Sequence, residues 1–292
     1  MADHPALTPG RAAVVTGAAS GIGLAVARRL GALGMHLVLA DLAGERLDSA
    51  AETLGAAVQG QVLAVPTDVR RPDELERLRE AAYGAFGDVA FLMNNAGVEG
   101  PRGGGWAGLD SWRLVMETNF WGVAHGVDAF AAAMAAQASP SAIVVTGSKN
   151  GVINIPDAAA YAVSKSAANA LTEQLAFHLS RTAPQVSVHL LLPGWTVTGM
   201  TPPEYLDHPA PWRAEQVADF MVEAMGRGDV YILCPDNQTP RELDEARIYW
   251  AADDLVKNRP ALSAWRAGYG GELKGFIQRY LDWKARRAAK AP

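Results

Sequence analysis

"AAVVTGAASGIGLAVARRLGALG", residues 12–34, passes from a short apolar run through a glycine-rich turn into a stretch of helical period. A run with almost no polar residue suits a strand buried on both faces of a parallel sheet. A glycine-rich strand-to-helix turn lets the backbone approach a pyrophosphate. The helix it opens offers unpaired N–H groups and the positive end of its dipole. Gly17, Gly21 and Gly23 are spaced three then one, unlike the common G-x-G-x-x-G pattern. Taken alone, they also fit a tight turn made for steric reasons. Their place between a first strand and a first helix favours phosphate binding.

The same alternation continues outward. Apolar runs recur at 36–41, 62–68, 89–97, 142–148, 186–194 and 230–234, with Ala- and Leu-rich helical stretches between them. Pro72 marks a helix start, and Gly34, Gly87 and Gly226 mark stops. Strand and helix alternating seven times predicts a single doubly wound α/β domain on a seven-stranded parallel sheet. Its core spans about residues 10–235, and residues 236–292 form a helical extension with helices over 240–260 and 270–288. Some fifty residues bury little core of their own, so the extension reads as an appendage. Its basic end, "KARRAAKAP", suits a helix C-terminus and is otherwise simply solvated.

Composition narrows the class. Of 292 residues, 49% are apolar and 20% charged, with a net charge of −5, which offers no basic field to nucleic acid or anionic lipid. Cys234 has no second cysteine to pair with, the start "MADHPALTPGR" lacks signal-peptide character, and no apolar run is long enough to span a bilayer. A cytoplasmic globular protein is expected. The six histidines show no ligand spacing, so no metal is expected.

Several residues carry candidate chemistry. Asp41 closes the second strand 24 residues after Gly17, where a carboxylate can accept both hydroxyls of an adenosine ribose and would repel a 2′-phosphate. No cation at 18–20 or at Leu42 offsets it, so NAD is expected over NADP; helix capping is the alternative. Asp68 and the Val69 amide follow the third strand, within reach of an adenine edge, and a helix cap near Pro72 explains Asp68 equally well. Tyr161 and Lys165 lie four apart in a helix of small residues, hence on one face. A free phenol has a pKa of about 10, too high for a base near neutrality, and a neighbouring ammonium would lower it.

The motifs "TGAASGIG" (16–23), "NNAG" (94–97), Asn119 in "METNFWG", Ser148, Tyr161-x-x-x-Lys165 and "PG" (193–194) stand in the order and spacing of one family. Over residues 10–235 the chain resembles the short-chain dehydrogenases/reductases. The resemblance implies a Rossmann-type fold and an NAD-dependent interconversion of alcohol and ketone. It implies Tyr161 as acid/base, Ser148 as the donor orienting the substrate oxygen, Lys165 as pKa modifier and grip on the nicotinamide ribose, and Asn119 as holder of a relay water. It places Gly17, Ser20, Gly21, Ile22 and Gly23 at the pyrophosphate, and Asn95, Ala96 and Gly97 beneath the cofactor. Pro193, Gly194, Thr196 and Thr198 fall at the nicotinamide. Family helices corresponding to 110–137 and 157–181 pair into homodimers or homotetramers. Three departures stand out: Gly147 replaces a common Ser, Lys149 and Asn150 make one side of the pocket more polar than usual, and the extension beyond Cys234 is longer than the core family needs.

Five of the eight tryptophans (195, 212, 250, 265 and 283) follow the sixth strand, in the segment that covers the reacting end of the cofactor. Trp195, Met200 and Tyr205, with Asn150 and Ile155, are candidate pocket residues, and Trp106 could approach from the other side. No Arg or Lys lies between Pro193 and Trp212, although Arg102 and Lys149 are within reach. A medium to bulky apolar or aryl-bearing secondary alcohol is therefore expected; packing of the aromatics among themselves is the alternative. Two other functions compete. An epimerase or dehydratase would have a different glycine spacing and a large C-terminal substrate domain, and a cofactor-sensing binding protein would show a broken catalytic set.

Overall fold

The seven expected strands form one parallel sheet in a computed structural model that describes residues 4–100, 108–201 and 203–289. They are β1 (Ala12–Thr16), β2 (His36–Asp41), β3 (Val62–Pro66), β4 (Phe91–Asn94), β5 (Ser141–Thr146), β6 (Val186–Leu192) and, at the far edge, Tyr231–Leu233. Spatial order runs β3-β2-β1-β4-β5-β6 and then the 231–233 strand. Val14 of β1 is paired with Val38 on one side and Leu92 of the central strand β4 on the other. The order reverses between β1 and β4. A crevice therefore opens at the carboxyl ends of these two strands, where "TGAASGIG" and "NNAG" begin.

Helices cover both faces. On one lie α1 (Gly21–Ala32), α2 (Glu45–Ala57) and the helix Ala214–Gly226, which share a core with Val15, Leu37, Leu39 and Met93. On the other lie α3 (Pro72–Phe86), α4 (Leu109–Met116), α5 (Gly122–Ala136) and, after the one-turn α6 (Asn150–Ile153), the long α7 (Ala159–Thr182). Phe130, Met134 and Leu179 from these helices pack with Val14, Leu92 and Ile143. Pro72 opens α3 with Asp73 and Glu74 in its first turn, and Gly87 closes it at φ +79°. Gly226 is the last residue of its helix rather than the stop; the left-handed turn falls at Gly228, φ +78°.

Two features were not legible beforehand. A π-turn, Glu117–Trp121, separates α4 from α5 and carries Asn119 into the interior. A two-residue parallel ladder joins β7 (Thr196–Val197) to β8 (Trp212–Arg213), which pinches the base of the excursion between them. In chain order the helix Ala214–Gly226 is then α8 and the edge strand β9. Beyond β9, the extension consists of α9 (Arg241–Lys257) and α10 (Gly270–Ala288). Ile248 of α9 docks on Leu190, Leu192 and Leu233, while no residue of α10 is fully buried.

Candidate active site

The ends of β1, β4 and β5 are stitched together by side chains. The Thr16 hydroxyl accepts from the amides of Asn95 (2.9 Å) and Ala96 (3.1 Å). Asn95 returns its amide to the Thr16 carbonyl at 3.0 Å and takes a hydrogen bond from the Thr146 hydroxyl at 3.1 Å. Gly17 holds φ +66°, and a Cβ there would lie 2.9 Å from the Ala96 Cα; one on Gly23 would lie 2.2 Å from the Gly17 carbonyl oxygen. Both positions need glycine for close approach.

The phosphate turn fits a pyrophosphate. Ser20 is the N-cap of α1 but makes no side-chain capping bond, which leaves the first-turn amides of Gly21, Ile22 and Gly23 to an anion. Thr198 packs against Gly21, and Gly199 lies over Ser20, so the segment after β6 closes onto this turn. The Asp41 carboxylate is held in place by the amides of Ala19 (2.9 Å) and Leu42 (2.8 Å). Asp68 is not the cap of α3, a position that Arg71 takes. It is instead paired with Arg70 through several hydrogen bonds, which hold its carboxyl below the usual range. Its reach toward an adenine edge competes with that pairing. Val69 is buried, and its carbonyl meets His125 Nδ1 at 3.0 Å.

Tyr161 stands in the first turn of α7 and Lys165 one turn on, with the Lys165 ammonium 5.7 Å from the phenol ring centre. Lys165 is buried and donates to the Thr146 carbonyl at 2.7 Å. Burial without a carboxylate partner pushes its pKa down to about 8. Burial likewise raises the Tyr161 phenol, and the Glu99 carboxylate adds to the rise, while the Ser148 hydroxyl, donating to the phenolate, opposes it. This differs from the expected lowering by Lys165: desolvation of the phenolate outweighs its neighbours in the protein alone. The Asn119 side chain binds both backbone groups of Val98, at 2.8 and 2.9 Å, and the Ser164 hydroxyl at 3.1 Å, so it braces the chain just beyond β4.

The expected aromatic wall divides. Trp195 meets Tyr205 edge-on, with centroids 5.6 Å apart, and His208 at 5.0 Å, and all three belong to the segment after β6. Met200 is exposed beside them in sequence, its amide bound to the Thr198 hydroxyl at 3.2 Å. Trp212 instead packs on Phe220, and Trp250 is buried in the extension, with its indole N–H on the Ser263 hydroxyl at 2.7 Å. Trp283 packs on Tyr280 of the same helix, and Trp265 lies in the Ser263–Trp265 turn. For Trp212, Trp250 and Trp283, packing within the body and the extension is what the structure supports, while Trp265 is exposed. Asn150 is buried and accepts from the Ile155 amide at 2.8 Å, fixing the 150–155 turn. Gly147 is explained by crowding: a Cβ there would sit 2.4 Å from Asn169 Oδ1. Trp106 and Arg102 lie outside the described residues. Glu99, His208, Asp236 and Asp244 went unnoticed in the sequence. Only the last two left a trace, since a lysine beside Ser148, if buried, needs a counter-charge.

Comparison with known proteins agrees with this geometry. A family model described as short chain dehydrogenase matches residues 11–208. A 1-deoxy-11-beta-hydroxypentalenate dehydrogenase of Streptomyces exfoliatus is 35% identical over 263 residues, which cover 88% of this chain and 94% of that protein. A short-chain dehydrogenase/reductase from Burkholderia phymatum, solved in complex with NAD, is 33% identical with a TM-score of 0.77, covering 86% of this chain and 96% of that one. L-sorbose reductase from Gluconobacter frateurii, solved with NADPH and L-sorbose, is 26% identical with a TM-score of 0.68, covering 76% of this chain and 92% of that one.

The Lys165 shift has a stability consequence. Its folded pKa, about 8, lies below the ordinary lysine value of 10.5, so the unfolded chain binds the proton more readily. Folding stability is therefore lost as pH falls from 10.5 through 8. Lys165→Met should be more stable than the parent at pH 7, by up to about 3 kcal/mol, with the gap closing toward pH 10.5. Urea unfolding at several pH values checks this.

Proposed function

The chain belongs to the short-chain dehydrogenase/reductase family, and relatives it resembles are named as dehydrogenases of hydroxylated compounds; on that basis we propose that it is an NAD-dependent oxidoreductase interconverting a secondary alcohol and a ketone. The observation that carries the reading is the meeting of the Tyr161 phenol, the Ser148 hydroxyl and the Lys165 ammonium beside the stitched ends of β1, β4 and β5. The cofactor, when bound, supplies the hydride donor or acceptor. The residues of the chain do the rest. Ser148 donates to the substrate oxygen and holds it toward Tyr161. In reduction Tyr161 gives that oxygen a proton; in oxidation it removes one. Burial raises the Tyr161 phenol, which therefore carries the proton it can give to the substrate oxygen at neutral pH.

Tyr161→Phe should keep NAD affinity while losing at least about 10²-fold in turnover, the scale of a positioned acid/base. Near-normal turnover in that variant would reject the assignment.

Asp41 supports NAD over NADP. Its carboxylate is fixed by two backbone amides at the end of β2, where a 2′-phosphate would meet an acceptor and a like charge. Fluorescence titration should show tighter binding of NAD, and Asp41→Ser with Leu42→Arg should shift the preference toward NADP. Tighter NADP binding by the parent would contradict the proposal.

For the substrate, the Trp195–Tyr205–His208 cluster supports a medium to bulky apolar or aryl-bearing alcohol or ketone over a sugar. A panel of aryl ketones, diketones, sugars and acetoacetyl esters decides between them. A homodimer or homotetramer is supported by exposed large apolar residues on neighbouring helices: Leu109 and Leu114 on α4, Trp121 on the π-turn, and Val163 and Phe177 on α7. Light scattering at micromolar concentration should give an oligomer mass; a monomer would reject it. The cytoplasm is the compartment we propose. Among the described residues no helix is long and apolar enough to cross a membrane.

A further inference from the structure

Lys149 directly follows Ser148, and its side chain is buried, 9% exposed. Its ammonium lies against Asp244 Oδ2 in the first turn of α9 and 3.4 Å from Asp236 Oδ2, in the loop after β9. Both carboxylates are themselves buried. Asp236 is anchored through its other oxygen by the amides of Gln238 (3.1 Å) and Thr239 (2.8 Å), and Oδ2 also receives the Trp195 amide at 3.4 Å. The Lys149 backbone joins the same knot: its amide donates to the Pro193 carbonyl at 3.4 Å, and its carbonyl accepts from Val152 and Ile153, each at 2.9 Å. A Cβ on Gly194 would come within 2.7 Å of Asp236 Oδ2 and 2.8 Å of Lys149 Nζ, so the turn after β6 passes tightly over the ion cluster. Beneath it Val152, Ile153, Leu233 and Ile248 line an apolar gap too narrow to admit water.

One ammonium thus ties three segments together: the end of β5 that bears Ser148, the Pro193–Trp195 turn, and the C-terminal extension. In such a dry setting neither partner is replaceable by solvent, and removing one leaves a buried charge uncompensated. We propose that Lys149 is a positioning residue through which the C-terminal extension sets the substrate side of the active site. The cluster holds the Ser148 hydroxyl and the Trp195 backbone in register. It also occupies the ammonium next to Ser148 with two carboxylates, so a substrate carboxylate gains no cation from Lys149. The inference rests on the dehydrogenase reading only for its kinetic assay.

The test compares Lys149→Met, Asp244→Asn, Lys149→Arg and the exchange Lys149→Asp/Asp244→Lys, which keeps one cation between two carboxylates. Lys149→Met and Asp244→Asn should lower kcat/KM for the best ketone of the panel about 10²-fold, the scale of a displaced catalytic group, while NAD affinity, carried largely by the turn at residues 17–23, falls far less. Lys149→Arg and the exchanged pair should recover much of that loss. A purely structural role would lower NAD affinity and kcat/KM together, and that result, or wild-type kcat/KM in Lys149→Met, overturns the proposal. Hydrogen exchange of the parent protein decides the matter where a variant does not fold or no ketone turns over. Residues 193–198 and 241–250 should open in one step under mild denaturant, separately from residues 12–23; independent opening of the first two segments overturns the coupling. A failed ketone panel alongside coupled opening would count against the dehydrogenase reading alone.

Discussion

The Asn95 side chain, reaching back to the carbonyl of Thr16 while receiving the Thr146 hydroxyl, is the contact on which the site is built. Parallel strands end in unpaired backbone groups, and at the point where strand order reverses there is no neighbouring crossover to cover them. Asn95 and Thr16 satisfy those groups with side chains, which fixes the relative height of β1, β4 and β5. The phosphate turn grows from β1, Asn119 braces the continuation of β4, and Lys165 is anchored to the last carbonyl of β5. A shift in any of the three ends would separate the glycine-rich turn from Tyr161 and Lys165.

Two lysines close to this point are treated in opposite ways. Lys165 is buried with a carbonyl oxygen as its hydrogen-bond acceptor, and its pKa falls to about 8. Lys149 is buried between two carboxylates, one of which, Asp244, is itself pushed up by desolvation. The first arrangement leaves an ammonium whose field is not cancelled locally and can act on a phenolate or a ribose. The second spends its charge on fastening segments. Burial therefore has opposite consequences for the two lysines, set by whether a carboxylate is buried with the ammonium.

The segment after β6 links these two regimes. Its start is held at Asp236 and Lys149, its base is pinched by the β7–β8 ladder, and its middle rests on the phosphate turn through Thr198. Trp195, Tyr205 and His208 pack on one another above that base. A segment fastened at its base and packed on its own rings is a shaped surface rather than a loose loop.

Much of this was readable from the order of residues. The seven apolar runs became the seven strands because a chain segment without polar residues has nowhere to go but between two helical layers, and Gly17 declared the phosphate turn because only glycine tolerates its dihedral and its contact with Ala96. Tyr161 and Lys165 were legible as a pair because helical spacing is local. What sequence could not disclose depends on distance through space. The rise of the Tyr161 pKa comes from the depth at which three layers bury it, and the capture of Lys149 by Asp236 and Asp244 joins residues 87 and 95 positions apart. The same holds for the tryptophans: they share a place after β6 in sequence, yet Trp212, Trp250 and Trp283 pack away from Trp195 on separate partners. Local composition specified which surfaces must be buried and which turns must be tight; the tertiary structure alone decided which charges meet, because desolvation and ion pairing are set by neighbours that the order of the chain does not list.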